Sequence, residues 1–198
     1  SDNALIKKGL VKLFNENIES NKFYENANEI LKETPPKPNL EQQNAILTIS
    51  NCHGFNTFLL NGITGSGKTE VYLRVIENVL KEGKAVLILV PEIALTPQTF
   101  DRFYRRFNVP VSSMHSALSD RERLDAYIDM ATSKSGILIG TRTALFTPIP
   151  NLGLIVIDEE HDSSFKQNDS FRYHARNLAI MRAKLNNCPI VLGSATPS

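Results

Sequence analysis

The sequence predicts an α/β fold, a parallel sheet sandwiched by helices, with a short helical N-terminal extension. Three observations predict it. From Leu40 onward, short apolar runs alternate with longer segments whose apolar residues recur at helical spacing. That alternation gives right-handed β-α-β units and one parallel sheet. The segment Gly62-Ile63-Thr64-Gly65-Ser66-Gly67-Lys68-Thr69 fits the G-x-x-x-x-G-K-[ST] pattern in full, between a strand-like and a helix-like run. Finally, the apolar run Leu154-Ile155-Val156-Ile157 ends in Asp158-Glu159-Glu160-His161, as a strand covered on both faces would when it delivers carboxylates to a sheet edge.

Residues 1–33 read as a polar extension in which Ile6, Leu10, Leu13 and Phe14, then Phe23, Ala27, Ile30 and Leu31, recur at helical spacing. Pro35, Pro36 and Pro38 stop any helix, so residues 34–39 are expected to form a linker and domain boundary. The lobe proper is expected over 40–198. A helix over 41–50 leads to a strand at 57–61, and the glycine loop leads to a helix over 68–81 that Gly83 terminates. A strand at 85–90 follows. Thr96 caps a helix over 97–107 whose first position is Pro97, where the missing N–H costs nothing. After a strand at 110–114, Ser119 and Glu122 make a capping box for a helix over 120–133. Strands at 136–140 and 154–157, a helix over 174–186 and a strand at 189–193 complete the pattern.

The 198 residues suffice for one well-buried domain plus an extension. With 22 basic and 21 acidic residues the net charge is +1, which excludes a globally basic nucleic-acid binder and confines any such surface to a local patch. Cys52 and Cys188 are far apart and form no C-x-x-C pair, which argues against a disulfide framework or a zinc site and suits a reducing cytosol. No apolar run has the length of a membrane span, and no signal-peptide pattern opens the chain. Ser1 to Ala4 are expected to include an expression scar. The stop at Ser198, directly after a motif, leads us to expect a piece of a longer protein.

The chemistry of the two motifs is specific. Glycines let the backbone curl so that successive N–H groups point at phosphate oxygens, and the following helix aims its positive end at the same place. Lys68 can reach the β- and γ-phosphates, and the Thr69 hydroxyl can ligate Mg²⁺. Asp158, at the C-terminal end of its strand, can hold the same ion, and Glu159 can orient and deprotonate the attacking water. The plainer readings are a glycine turn with a chance lysine and a solvated strand end. Further on, Gly193-Ser194-Ala195-Thr196 places two hydroxyls at the edge where such folds keep their ligands. Alone, that is also compatible with an ordinary turn.

In this order, the glycine loop, Asp158 to His161 and Ser194 to Thr196 resemble motifs I, II and III of the superfamily-two helicases. The stretches Phe58–Leu73, Val90–Gln98, Gly140–Pro148, Asp158–Gln167 and Phe171–Arg176 resemble the replication-restart helicases within that superfamily. The resemblance covers about residues 40–198. It implies a RecA-like P-loop NTPase lobe, the first of two, in an ATP-dependent 3′-to-5′ DNA helicase. It implies ATP and Mg²⁺ as cofactors and primosome assembly at stalled or repaired forks as the setting. The partners implied are DNA forks, single-stranded DNA, other primosome proteins and single-stranded DNA-binding protein, with no membrane and a bacterial cytoplasmic location.

The family's second lobe with its arginine finger, its zinc-binding cysteines and its domain for a nascent 3′ end have no counterpart in these residues. Zinc is therefore expected only in a missing C-terminal part. An arginine finger is worth roughly 10³–10⁵ in rate for related transfers, so this lobe alone is expected to bind ATP and hydrolyse it poorly. The lead-in resembles the end of the family's winged-helix domain.

Carried over residue by residue, Gln42 resembles a glutamine that reads adenine, since its amide both donates and accepts. A polar surface helix is the alternative. Thr96, Gln98, Thr141, Arg142 and Thr143 resemble loops that touch single-stranded DNA, although Arg142 could equally pair with an acid. Residues 165–173 resemble an aromatic-rich loop that couples DNA contact to hydrolysis. Phe165, Lys166 and Arg172 are its expected contacts, and Phe171 or Tyr173 could be a buried anchor. His161 is implied to bridge hydrolysis to Ser194 and Thr196, whereas His53, His115 and His174 read as structural or surface residues. Two rival readings stay open: another superfamily-two motor acting on RNA or duplex DNA, and a non-catalytic nucleotide-sensing module.

Overall fold

The computed structural model describes residues 30–63, 65–167 and 172–195. Thr64, Phe171, Thr196 and the extension up to Glu29 lie outside the described residues. The strands are β1 (Thr57–Asn61), β2 (Ala85–Leu89), β3 (Val111–Met114), β4 (Ile137–Gly140), β5 (Leu152–Ile157), β6 (Lys166–Gln167), β7 (Tyr173–His174) and β8 (Ile190–Ser194). The helices are α1 (Leu40–Ser50), α2 (Lys68–Lys81), α3 (Pro97–Arg106), α4 (Asp120–Ala131) and α5 (Ala175–Leu185). Six strands form one sheet in the order β1-β8-β5-β2-β4-β3, every neighbouring pair parallel.

Strand residues alternate between the two faces of this sheet, as the pleat requires. In β2, Leu87 and Leu89 face the layer holding α4 and α5, while Val86 and Ile88 face the layer holding α1, α2 and α3. Leu154 and Val156 of β5 follow the second pattern, and Ile155 and Ile157 the first. Fully burying such a side chain contributes about 1.5–3 kcal/mol. The central strands are therefore the rigid frame on which the C-terminal loops sit.

The expected caps form. Thr96 accepts from the Thr99 amide at 3.3 Å with Pro97 opening α3, and Ser119 and Glu122 cap α4 reciprocally. Gly83 turns at φ 73 after α2. A second capping box, missed by the sequence reading, joins Asn39 and Gln42 at the start of α1. Differences elsewhere are at ends. α4 stops at Ala131 because Ser133 takes left-handed φ 56, and α5 begins at Ala175 because His174 is its extended N-cap. The short antiparallel pairing of β6 with β7 was also unforeseen.

Upstream of α1 the chain packs across the second layer. Ile30 is fully buried, Leu31 bridges Phe107, Lys32 N donates to Arg106 O at 3.0 Å, and Arg74 Nη2 donates to Pro36 O at 2.9 Å. Among the described residues no helix is long and apolar enough to cross a membrane.

Candidate functional site

Strand order assembles the site. β1, β8 and β5 lie side by side, so the glycine loop after β1, Ser194 at the end of β8 and Asp158 after β5 meet at one sheet edge. Main-chain bonds tie them: Gly62 N to Ser194 O at 3.0 Å, Glu160 N to Gly193 O at 2.8 Å and Asp158 N to Leu89 O at 2.9 Å. The loop closes with Ser66 N on Ile63 O at 3.1 Å and with Gly65 and Gly67 in left-handed conformation. Gly67 is needed for its left-handed φ of 87, whereas a Cβ there would press only on the movable end of the Gln42 side chain. As the N-cap of α2 it supplies no side-chain acceptor, so the first amides of that helix remain available to an anion. Lys68 Nζ donates to Gly62 O at 2.5 Å and lies 3.5 Å from Glu159 Oε1.

Three consecutive acids have different surroundings. Asp158 Oδ1 accepts from Tyr72 Oη at 3.1 Å and from Glu159 N at 3.2 Å. Burial, then the neighbouring Glu159 charge, raises the Asp158 pKa, and the Tyr72 hydrogen bond works against that rise. The Tyr72 hydroxyl is pushed upward, first by burial and then by Asp158, so it stays a donor. Gly193 makes room for it, since a Cβ there would collide with the hydroxyl. Glu159 turns through left-handed φ 49, a conformation unusual for a long side chain. Its Oε2 lies 3.8 Å from His161 Nδ1, which is 3.1 Å from Ser194 Oγ. Glu160 points the other way, buried and bonded to Arg176 Nη1 at 2.7 Å.

An open cleft of about 610 Å³ lies in front of Ile63, Gly65, Lys68, Thr69, Asp158 and Glu159. A second recess of about 230 Å³, beside Asn39, Gln42, Ala45 and Leu60, shares Gly67 and Lys68 with it. Gln42 lines this recess, but its Oε1 accepts from Asn39 N at 3.0 Å and its Nε2 donates to Gly67 O at 3.4 Å. The donor set fits a magnesium nucleotide. Asp158 beside a second carboxylate in a partly desolvated position is relieved by a divalent cation, and uncapped amides with a largely buried ammonium are relieved by polyphosphate.

The residues expected to touch nucleic acid sit along the same edge. Thr96 and Gln98 are exposed at the start of α3, and Thr143 is exposed after β4. Thr141 is buried. Arg142 Nη1 donates to the carbonyls of Ser164 at 2.9 Å and Lys166 at 3.1 Å, clamping the segment that follows the carboxylates. Phe165 requires a correction: at 1% exposure its ring belongs to the core and offers no face to a base. Lys166 and Arg172 remain exposed, and Tyr173 packs edge-on against Phe146 at 5.5 Å. Sequence reasoning missed Tyr72, whose position four residues after Lys68, on the same helix face, was the available signal.

Comparison with known proteins fits this geometry. Residues 39–198 match the family described as DEAD/DEAH box helicase. The chain is 59% identical over 145 residues to the replication restart protein PriA of Haemophilus influenzae, covering 73% of this chain and 20% of that protein. Against PriA of Bacillus subtilis the identity is 45% over 199 residues, covering 98% and 24%, and against that of Synechocystis it is 48%, covering 98% and 23%. The chain thus spans between 20% and 24% of these relatives. Among solved structures, the Pyrococcus furiosus Hef helicase domain has a TM-score of 0.62 at 24% identity, covering 85% of this chain and 35% of that one. RecG bound to a three-way DNA junction has a TM-score of 0.62 at 24% identity, covering 83% and 22%. These two show the fold alone. With its phosphate loop, its strand-end carboxylates and a family match over residues 39–198, the chain belongs to the DEAD/DEAH box helicases and is similar within them to the PriA replication restart proteins.

Proposed function

We propose that this chain is the ATP-binding lobe of a 3′-to-5′ DNA helicase that restarts replication by primosome assembly at stalled or repaired forks. The observation that carries this is the 3.5 Å approach of Lys68 Nζ to Glu159 Oε1 in the cleft that also holds Thr69 and Asp158. A cation for phosphates and a carboxylate for water then lie within one phosphoryl group's reach. The similarity to PriA proteins supplies the biological setting.

The backbone amides of residues 62–69 and Lys68 bind the phosphates, with Thr64 among them, and Gln42 lies beside the recess suited to the base. Thr69 and Asp158 would hold Mg²⁺, which offsets phosphate charge when bound. Tyr72 holds the Asp158 carboxylate in place. Glu159 orients the water and takes its proton. His161, between Glu159 and Ser194, links that carboxylate to the Ser194–Thr196 segment. Thr96, Gln98, Thr143, Lys166 and Arg172 contact DNA backbone, and Arg142 fixes the segment from which Lys166 projects.

Residues 40–198 form the lobe, residues 34–39 the linker and residues 1–33 an N-terminal extension that is a remnant of a winged-helix domain. DNA forks, single-stranded DNA, primosome proteins and single-stranded DNA-binding protein are the proposed partners, in a bacterial cytoplasm, and zinc is assigned to parts of the protein outside these residues. The lobe alone should bind ATP and turn it over slowly, for want of an arginine finger. An ATPase assay of the complete protein over DNA forks, single-stranded DNA and RNA tests the reading. Stimulation by DNA and not by RNA is expected. Equal or greater stimulation by RNA would point to an RNA motor, and failure to bind nucleotide would reduce the chain to an interaction module.

A further inference from the structure

We infer that Arg102 is a further polyphosphate-binding cation of this site, one that distinguishes a nucleoside triphosphate from a diphosphate. The inference rests on the nucleotide-site reading above and assigns a residue that neither the motifs nor the comparisons single out.

Arg102 and Arg106 are four residues apart on α3 and so share one face of that helix. Arg106 shows where the face points. It is buried, and its Nη1 and Nη2 donate to Glu70 Oε1 at 3.0 Å and Oε2 at 2.5 Å, a bidentate clamp on the residue that follows Thr69. Arg74 Nε donates to the same carboxylate at 3.2 Å, and Phe103, between the two arginines, is seated in the core. The rotation and distance of α3 relative to the first turn of α2 are therefore fixed from both sides.

One turn closer to the start of α3, Arg102 lines the large cleft together with Lys68, Thr69, Asp158 and Glu159. Its neighbours are engaged: Arg105 pairs with Asp101 at 3.9 Å and Arg106 with Glu70. Arg102 itself has no carboxylate partner among the described residues and is exposed. A planar guanidinium on the wall of a cleft that also holds Lys68 and two carboxylates matches a phosphate with its metal, not a bare anion.

The position within the cleft gives the selectivity. Gln42 and the smaller recess lie on one side of Lys68, whereas Arg102 lines the larger cleft together with Thr69, Asp158 and Glu159. The base end and the terminal-phosphate end are thereby separated, and Arg102 belongs to the second. Because the side chain is exposed and unpaired, its removal leaves the core intact. The clamp at Arg106 also keeps the Glu70 carboxylate engaged, so that it does not compete for Arg102.

The test is a titration of the 198-residue chain with Mg-ADP and with a non-hydrolysable Mg-ATP analogue, using wild type, Arg102→Gln, Arg102→Lys and Lys68→Ala. Arg102→Gln should lose about tenfold in affinity for the triphosphate analogue, the scale of one charge-assisted hydrogen bond, and keep its ADP affinity. Arg102→Lys should recover part of that loss, more at low salt than at high. Unchanged triphosphate affinity in Arg102→Gln, or an equal loss for both nucleotides, overturns the inference. Lys68→Ala separates this from the parent reading: if it binds both nucleotides as wild type does, the nucleotide site itself is misplaced. If it loses them while Arg102→Gln shows no selectivity, only the Arg102 assignment falls.

Discussion

Tyr72 donates its phenolic hydrogen to Asp158 Oδ1 across 3.1 Å, in the space left open by the missing side chain of Gly193. This contact joins α2, which starts at the phosphate loop, to the carboxylate proposed to hold the metal. It also opposes the upward pKa shift that burial and Glu159 impose on Asp158.

Tyr72→Phe should therefore retain the fold, with a stability loss of about 1 kcal/mol, and move the pH dependence of Mg-ADP binding. The hydrogen bond lowers the Asp158 pKa, so its loss lets that pKa rise further. Binding needs the ionised carboxylate, and its acid midpoint should shift to higher pH. Affinity measured at a series of pH values decides the matter, and an unmoved midpoint removes Tyr72 from the site.

Asp158→Asn should stabilise the nucleotide-free protein while weakening Mg-nucleotide binding. The folded pKa of Asp158 lies above the unfolded one, so ionisation disfavours folding. That penalty is absent below the ordinary carboxylate value and grows as pH rises through the folded value. The gain in Tm at neutral pH should be roughly 2–4 °C per kcal/mol recovered, and it should shrink on acidification. A lower Tm at pH 7 would contradict the assignment of burial as the dominant influence on Asp158.

Glu159→Gln in the complete protein should bind ATP normally and turn it over slower by at least about 10²-fold, because an amide cannot take the water's proton. Single-turnover kinetics alongside a binding isotherm make the comparison. Near-normal turnover would place the base elsewhere.

Replacing Lys166 and Arg172 together by alanine in the complete protein should leave nucleotide affinity unchanged and reduce DNA stimulation of the ATPase. Both are exposed, Lys166 on the segment that Arg142 clamps behind the carboxylates and Arg172 directly before β7. Two lost phosphate contacts should lower the salt dependence of DNA affinity by about 2 in log–log slope. An unchanged slope would show that the segment is a structural bridge.

Much of this was legible in the sequence because it is local. Apolar spacing located every strand of the main sheet and every described α-helix, though not the short 3-10 turns, and Thr96, Ser119 and Gly83 marked ends through bonds a few residues long. The phosphate loop and Asp158–Glu159 were equally plain, each being a run of adjacent residues. What escaped depends on distant partners. Tyr72 looked like one more apolar helix position until β8 set Gly193 opposite it. Phe165 resembled a free ring because nothing in its neighbours reveals the core it enters. The Arg106–Glu70 clamp likewise joins two helices separated by a strand.

The place of β8 in the sheet has a consequence for how the protein comes to exist. The last strand of the described chain is inserted between β1 and β5, and its Ser194 carbonyl receives the Gly62 amide. Until it docks, the phosphate loop and the carboxylate strand have no common neighbour, however complete each is locally. Closure of this slot is a long-range event of the slow kind that parallel sheets impose. During synthesis, nucleotide capture should thus begin only after β8 has left the ribosome, which makes ligand binding a late reporter of assembly.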